Sequence, residues 1–389
     1  MSGWNLGKLP FFDKSHYAMA ERMRAWPAHD VHEPASIAEM EKDAKALVRQ
    51  CADAGLLDAV VPRPDASGKR RIDVRTLCVI REYFGYHHLL ADAMFTMQGL
   101  GSAALWMFGN KEQQDKYLDP LRAGKTIAAI ALSEPDVGSD LGNLQTTATR
   151  EGDHFVLNGE KTWISNAGIA DHYIVLARTG GPGARGLTAF IIDADTPGLI
   201  PGKAIEFMAP HPAAPLTFNN CRVPASCVIG EVDKGFKAAM ATFDIFRASV
   251  GAAGVGIARR ALDESLQRTT TRKMFGKTMA DVEGVQTKLG EMSIECESAA
   301  LAVYRAAWMK DTTDERCSAE VSMAKLLGSE AANKVVDSAV QLFGGMGVRK
   351  GCIIELLYRE ARPLRIYEGA SEVQKLIIAR SLVASVGKK

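Results

Sequence analysis

The period of the hydrophobic spacing changes twice along this chain, and those changes limit the fold more than any single motif does. From about Ile37 to Leu121 apolar residues recur three and four positions apart, as in MEKDAKALVRQCADAGLL and KEQQDKYLDPLRAG, with Gly and Pro as stops. Between roughly Ile127 and Asp233 the pattern becomes short β-rich runs, FVLNG, DHYIVLA, LTAFIIDA and PLTFNNCRV, separated by turn clusters such as TGGPGARG and DADTPG. From Gly235 helical spacing returns in long stretches to the C-terminus. Helices, then strands, then helices argue for an α+β chain with segregated layers, against the alternation of a doubly wound sheet. Residues 1–126 are expected to form an N-terminal helical domain, 127–233 a middle antiparallel β domain, and 234–389 a C-terminal helical bundle.

Composition narrows the function classes. With 389 residues, 47% of them hydrophobic, the chain can bury large cores, which excludes a disordered or fibrous protein. Lys plus Arg number 47 against 46 Asp plus Glu, so charge makes no case for nucleic acid or a membrane surface as partner. The seven cysteines form no C-x-x-C pair, so neither a metal site nor a disulfide framework is expected. The opening MSGWNLGKLPFFDKSH lacks a signal-peptide pattern, and no apolar run reaches the about 18 residues of a membrane span. A cytoplasmic protein is expected.

Several motifs carry two readings when taken singly. GGPGARG (180–186) lacks the Lys-Ser/Thr of a phosphate loop and reads as a hairpin turn, and GAAGVG (251–256) reads as a site of close helix packing. QLFGGMGVRKG (341–351) reads equally as a helix-ending turn or as a loop whose N–H groups face an anion. ALSEPDVGSD (131–140) is a self-capping loop or a binding loop. In KTWISN (161–166), period-two alternation puts Trp163 and Ser165 on one strand face, as a core Trp or as a π-surface with a hydroxyl suited to a flat heteroaromatic ring. TRKMFGK (271–277) sets Arg272 and Phe275 in a break between helices, where a solvated basic loop is the plain reading.

In this order and spacing, ALSEPDVGSD, NGEKTWISN, FNNCRVPAS, GFKAAMATFDIFR, RKMFG, QLFGGMG and RIYEGASEVQK resemble the acyl-CoA dehydrogenase family, flavoproteins that desaturate acyl-CoA thioesters between Cα and Cβ. The resemblance covers nearly the whole chain and is weakest over the first thirty-odd residues. It implies FAD as cofactor. Leu132 and Ser133 would meet the pyrimidine edge of the flavin, Trp163 would pack on the ring, and Ser165 would reach N5. Ser139, Phe243, Asp244 and Arg247 match positions lining the pantetheine and acyl tunnel, with Phe246 on its wall. Arg272, Phe275, Gln341 and Gly345 match positions that complete the FAD site of a neighbouring subunit, which implies a homo-oligomer, a tetramer of two dimers.

The same resemblance makes Glu368 the base. An α-C–H beside a thioester is a weak acid, so its removal needs a positioned base and stabilisation of charge on the carbonyl oxygen. Glu368 would take the α-proton and its backbone N–H would polarise the oxygen, while Gly369 lets the backbone approach and Tyr367 screens water. The β-hydride would pass to flavin N5 and the electrons to an electron-transferring flavoprotein, giving a trans-2-enoyl-CoA as in fatty acid β-oxidation. Some branches carry the base on the earlier helix, where this chain has Phe246, so Glu368 is the one candidate these motifs offer. A bulky Phe246 favours a short, branched or cyclic acyl group. The chain departs from the family pattern at Val137, Asn143, Glu283 and Ala370, the last two at cofactor contacts. Two other functions fit the scaffold: an acyl-CoA oxidase using O2, and a flavoprotein with a nucleic-acid-binding or protective role, although the chain ends in VGKK without a basic extension.

Overall fold

The computed structural model describes residues 4–26, 33–313 and 316–386. The first residues of the opening segment and the closing Gly-Lys-Lys, both used in reading the sequence, lie outside them. Five helices come first: α1 (Lys14–Arg24), α2 (Ile37–Asp53), α3 (Val74–His87), α4 (Leu89–Phe108) and α5 (Lys111–Arg122). Strands β1 (Ala128–Ala131), β2 (Thr147–Glu151), β3 (His154–Ser165), β4 (His172–Arg178), β5 (Leu187–Asp193), β6 (Leu199–Pro201), β7 (Ala213–Pro224) and β8 (Val228–Ile229) follow. Then come α6 (Gly235–Thr271), a hairpin of β9 (Lys273–Met274) and β10 (Lys277–Thr278), and helices α7 (Glu283–Thr312), α8 (Ser318–Phe343), α9 (Ile353–Ala361) and α10 (Ser371–Val386). The described residues pack as two compact units, one falling within 1–33, 73–92 and 244–389, the other within 34–72 and 93–243.

The second of these units holds the sheet, in the order β6-β7-β3-β2-β4-β5-β8, with β1 pairing β4. The long β3–β7 ladder and the β4–β5 hairpin are antiparallel, as expected for the middle domain. GGPGARG connects β4 to β5, as the hairpin reading requires. The sheet is not wholly antiparallel: β1 runs parallel to β4, and so does β2 where Thr147 pairs with Arg178. HYIVLAR and LTAFIID are buried at all but their last residues, so both faces of β4 and β5 are covered, which explains apolar runs in place of alternation. Gly101 lets α4 approach the sheet closely at β1, because a Cβ there would come within 2.5 Å of the Ala128 Cβ.

The first unit is helical. Its core gathers Val250, Ile257 and Ala258 of α6, Val335, Val336 and Ala339 of α8, and Ile354 and Leu357 of α9. The small residues of GAAGVG do what close packing requires. A Cβ on Gly251 would lie 2.4 Å from the Ala324 carbonyl oxygen of α8, and one on Gly256 2.1 Å from that of Glu82 on α3. A larger residue at either position would push backbone away from backbone. Among the described residues, no helix is long and apolar enough to cross a membrane, and no group of three or more His, Cys, Asp or Glu could hold a metal. All seven cysteines are free thiols.

Candidate active site

Glu368 lies in the short loop before α10, in a backbone conformation that side chains avoid. Its φ is +52° and that of Gly369 is +93°, and a non-glycine residue held there costs roughly 1–3 kcal/mol. The loop is held from beneath. Lys325 of α8 donates from Nζ to the Gly369 carbonyl at 2.8 Å, and Gln374 Nε2 donates to the same oxygen at 2.9 Å and to the Glu368 carbonyl at 3.3 Å. Both side chains are fully buried. Glycine fits position 369 because φ +93° strains any side chain, and a Cβ there would also sit 2.3 Å from Gln374 Nε2 and displace the amide that holds the loop. Glu330 anchors the flanks by accepting from Arg365 Nε at 2.9 Å and from Ser371 Oγ at 2.7 Å.

The Glu368 carboxylate is not a helix cap. Oε2 is buried without a hydrogen-bond partner among the described residues. Burial pushes its pKa up, opposed by the Arg81 guanidinium first and by the Lys325 ammonium second, with Asp92 adding to the rise. Arg81 is itself buried, with Nε and Nη2 on the two oxygens of Asp92 at 2.9 and 2.8 Å and Nη1 on Ser249 Oγ at 2.9 Å. Burial lowers Lys325 to about 8, against the pull of Glu368 and Glu330. A desolvated carboxylate with cations close but not bonded to it is a stronger proton acceptor than one in water. Tyr367 keeps 40% of its surface exposed, so its ring belongs to the rim and not to the core.

The α6 residues separate. Asp244 and Arg247 pair at 3.0 Å one helical turn apart, Asp244 also accepts from Ser318 Oγ at 3.1 Å, and Arg247 contributes to the field on Glu368. Phe246 is completely buried. Phe243 falls in the other unit, as does Ser139, which is exposed.

In the sheet unit, the β3–β7 register slips between Lys161 and Ile164, and Trp163 sits at the bulge with φ +59°. Its ring is 59% exposed, which rules out the core-Trp reading. Phe207 lies 6.2 Å from the Trp163 ring and 6.0 Å from that of His211, whose Nε2 is 2.6 Å from Ser165 Oγ. An open aromatic face with a hydroxyl at its end fits a flat, polar-edged ring system. The neighbouring ALSEPDVGSD loop is built on an ion pair, not on self-capping alone. Glu134 accepts from Lys161 Nζ at 2.8 Å and from the Thr146 N–H at 2.9 Å, and both side chains are buried. Lys161 also donates to the Leu132 carbonyl at 3.0 Å, and the Thr162 N–H to that of Ser133 at 2.9 Å. Leu132 and Ser133 are thereby tied to the strand that carries Trp163.

Arg272, Phe275, Gln341 and Gly345 are all exposed. TRKMFGK is a hairpin, β9–β10, with Phe275 at φ +49° and 87% exposed. Arg268, one turn before Arg272, donates to the Phe343 carbonyl at 2.9 Å and lies 4.7 Å over the Phe343 ring, joining the hairpin's root to the glycine-rich turn. That turn ends α8 at Gly344, with φ +60°, and a Cβ on Gly344 or Gly345 would meet nothing within 4 Å. An exposed cation, an exposed ring and open backbone suit a nucleotide end with its phosphates. Reasoning from sequence missed Lys325, Arg81, Gln374, His211, Glu134 and Arg268 as working parts. Glu134 and Gln374 stand inside the motifs ALSEPDVGSD and RIYEGASEVQK without a role read for them, and Lys325 left a trace as a lone cation in the small-residue run SMAKLLGS.

Three family models match the chain: the N-terminal domain of acyl-CoA dehydrogenases over residues 13–125, the middle domain over 129–221 and the C-terminal domain over 233–383. The chain is 36% identical to a 3-(aryl)acrylate reductase of Clostridium sporogenes, over 96% of this chain and all of that one. It is 34% identical to a cyclohexane-1-carbonyl-CoA dehydrogenase of Geobacter metallireducens, over 85% and 87% of the two chains. Among solved structures, an acyl-CoA dehydrogenase from Bacillus anthracis complexed with FAD superposes with a TM-score of 0.88 at 30% identity, covering 98% of this chain and 69% of that one. The chain belongs to the acyl-CoA dehydrogenase family: an FAD-dependent oxidoreductase with a helical N-terminal, a β middle and a helical C-terminal domain.

Proposed function

We propose that this enzyme converts an acyl-CoA thioester to its trans-2-enoyl-CoA, with Glu368 as the base. The observation that carries this reading is the Glu368 Oε2 itself, buried and without a partner on a loop gripped by Lys325 and Gln374. Glu368 takes the α-proton, and its backbone N–H, which has no acceptor among the described residues, donates to the thioester oxygen as charge develops there. Tyr367 and Gly369 flank Glu368 in its loop, and Asp244 and Arg247 pair on α6; by the family resemblance these two, Ser139 and Phe243 match residues that line the acyl and pantetheine path. Trp163, Ser165, Leu132 and Ser133 receive the flavin ring. FAD, when bound, supplies the acceptor for the β-hydrogen and its electron pair. The electrons leave through an electron-transferring flavoprotein, as the family resemblance implies.

The exposed Arg272, Phe275, Gln341 and Gly345 complete a neighbour's FAD site in a homotetramer. Exposed Leu382, Val383 and Val386 on α10 support association through the helical unit. The acyl group is short, branched or cyclic, a reading supported by bulky Phe246 and by the cyclohexane-1-carbonyl and aryl groups that the relatives' names carry. Anaerobic titration of the holoenzyme with a panel of acyl-CoAs tests this, with Phe246→Ala run in parallel. Bleaching of the flavin by cyclic or branched acyl-CoAs, and a shift toward bulkier ones in Phe246→Ala, is the expected result. Bleaching by none refutes it, and rapid recolouring on admission of air identifies an oxidase instead.

A further inference from the structure

Ser165 is held by a partner from another part of the chain. Its Oγ lies 2.6 Å from His211 Nε2, and His211 stands two residues before the start of β7. The sheet brings it there: Ser165 pairs with Ala213 and Ile164 with Ala214, and the Asn166 N–H donates to the Pro212 carbonyl at 2.8 Å. The imidazole position therefore follows from strand register, not from a loose loop. No other hydrogen bond reaches Ser165 Oγ or the His211 ring among the described residues. Burial lowers the imidazole to about 4, so the ring is neutral near pH 7.

A neutral imidazole has one bare nitrogen and one N–H. If Nε2 carries the hydrogen, it donates to Ser165 Oγ, and the hydroxyl proton is free to point outward. If Nε2 is bare, Ser165 donates to it, and only oxygen lone pairs face outward. The ring that the face receives has opposite needs in its two states: N5 of an oxidised flavin is an acceptor, and N5 of a reduced one carries a hydrogen. We infer that His211 is the positioning residue of this face: it holds the Ser165 hydroxyl and sets whether a proton or a lone pair meets N5, and so tunes the balance between oxidised and reduced cofactor. This rests on the reading that the Trp163–Ser165 segment receives the flavin ring.

The test uses FAD-loaded enzyme and two readouts besides turnover, the midpoint potential of the flavin and the dissociation constant of FAD. Ser165→Ala and His211→Leu are each expected to change the ratio of affinities for reduced and oxidised cofactor about tenfold, in the same direction, the scale of one hydrogen bond. For a two-electron couple that is about 30 mV. The double variant should move no further than Ser165→Ala alone. His211→Gln, whose amide still reaches Oγ, should restore more than half of the shift. His211→Asn, polar but too short to reach, should not, and it carries the test if His211→Leu does not retain FAD. A native potential in both His211→Leu and His211→Asn beside a shifted Ser165→Ala overturns the assignment, as do additive shifts in the double variant. A native potential and native FAD affinity in Ser165→Ala overturn the ring-site reading itself, and this inference with it.

Discussion

Glu368 and Trp163 share one backbone anomaly and differ in almost everything around it. Both are non-glycine residues at positive φ, +52° and +59°. Glu368 turns a carboxylate oxygen inward, where no described residue bonds it, and its loop is gripped by fully buried side chains from α8 and α10. Trp163 turns its ring outward, and its strained backbone is held by the sheet on either side, with Lys161 paired to Leu216 and Ile164 to Ala214. The difference follows from the tasks. A base gains strength when water is removed from it, whereas a surface that stacks a planar ligand must stay open until the ligand arrives. Strain of similar size is thus maintained by buried electrostatics in one place and by strand register in the other.

Glu368→Gln should break the comparison most sharply, because it keeps shape and removes the proton acceptor. The rate of anaerobic flavin bleaching by acyl-CoA is expected to fall by about 10²–10⁴-fold, with FAD affinity unchanged. A variant that bleaches at a near-native rate would refute the catalytic assignment. Trp163→Gly is the counterpart on the open face. Glycine accepts φ +59° without strain, so melting temperature should hold or rise, while FAD dissociation should rise about three- to tenfold for the lost ring contact. Equal FAD affinity, measured by flavin fluorescence, would show that the ring is not a stacking surface.

The smallest effect is expected from Lys325→Met. Removing a cation beside a carboxyl already raised by burial raises its pKa further, so the ascending limb of kcat/KM against pH should move to higher pH, with FAD affinity unchanged. Stability offers an independent check of sign. The buried ammonium has its pKa lowered from 10.5 to about 8, so between those values the unfolded chain binds a proton that the folded chain has released. Stability from this group therefore rises with pH across that window, and Lys325→Met should remove the rise in thermal melts. An unmoved limb together with an unchanged pH–stability profile would leave Lys325 with only its hydrogen bond to Gly369.

Much of the fold was legible because it depends on spacing along the chain. The apolar periods marked the helices and the β-rich middle, and the small residues of GAAGVG marked a helix that needed close neighbours. RIYEGASEVQK carried Glu368, Gly369 and even Gln374 in one stretch, since a tight loop must be specified locally. The parallel pairing of β1 with β4 was not legible, because strand neighbours far apart in sequence leave no local pattern. Nor was the open setting of Trp163: period-two alternation assumes an unbroken ladder, and one extra residue at the bulge re-aims the side chain.

The sequence by itself determined which residues can do chemistry: a carboxylate before a glycine, an aromatic ring near a hydroxyl, a cation and a ring in a helix break. Tertiary structure alone decided how strong and how directed those groups are. Lys325 and Arg81 stand 43 and 287 residues before Glu368 in the chain, and His211 46 residues after Ser165. Their influence comes through burial, helix crossings and strand register, and acts across a few ångströms of space that no spacing along the chain encodes.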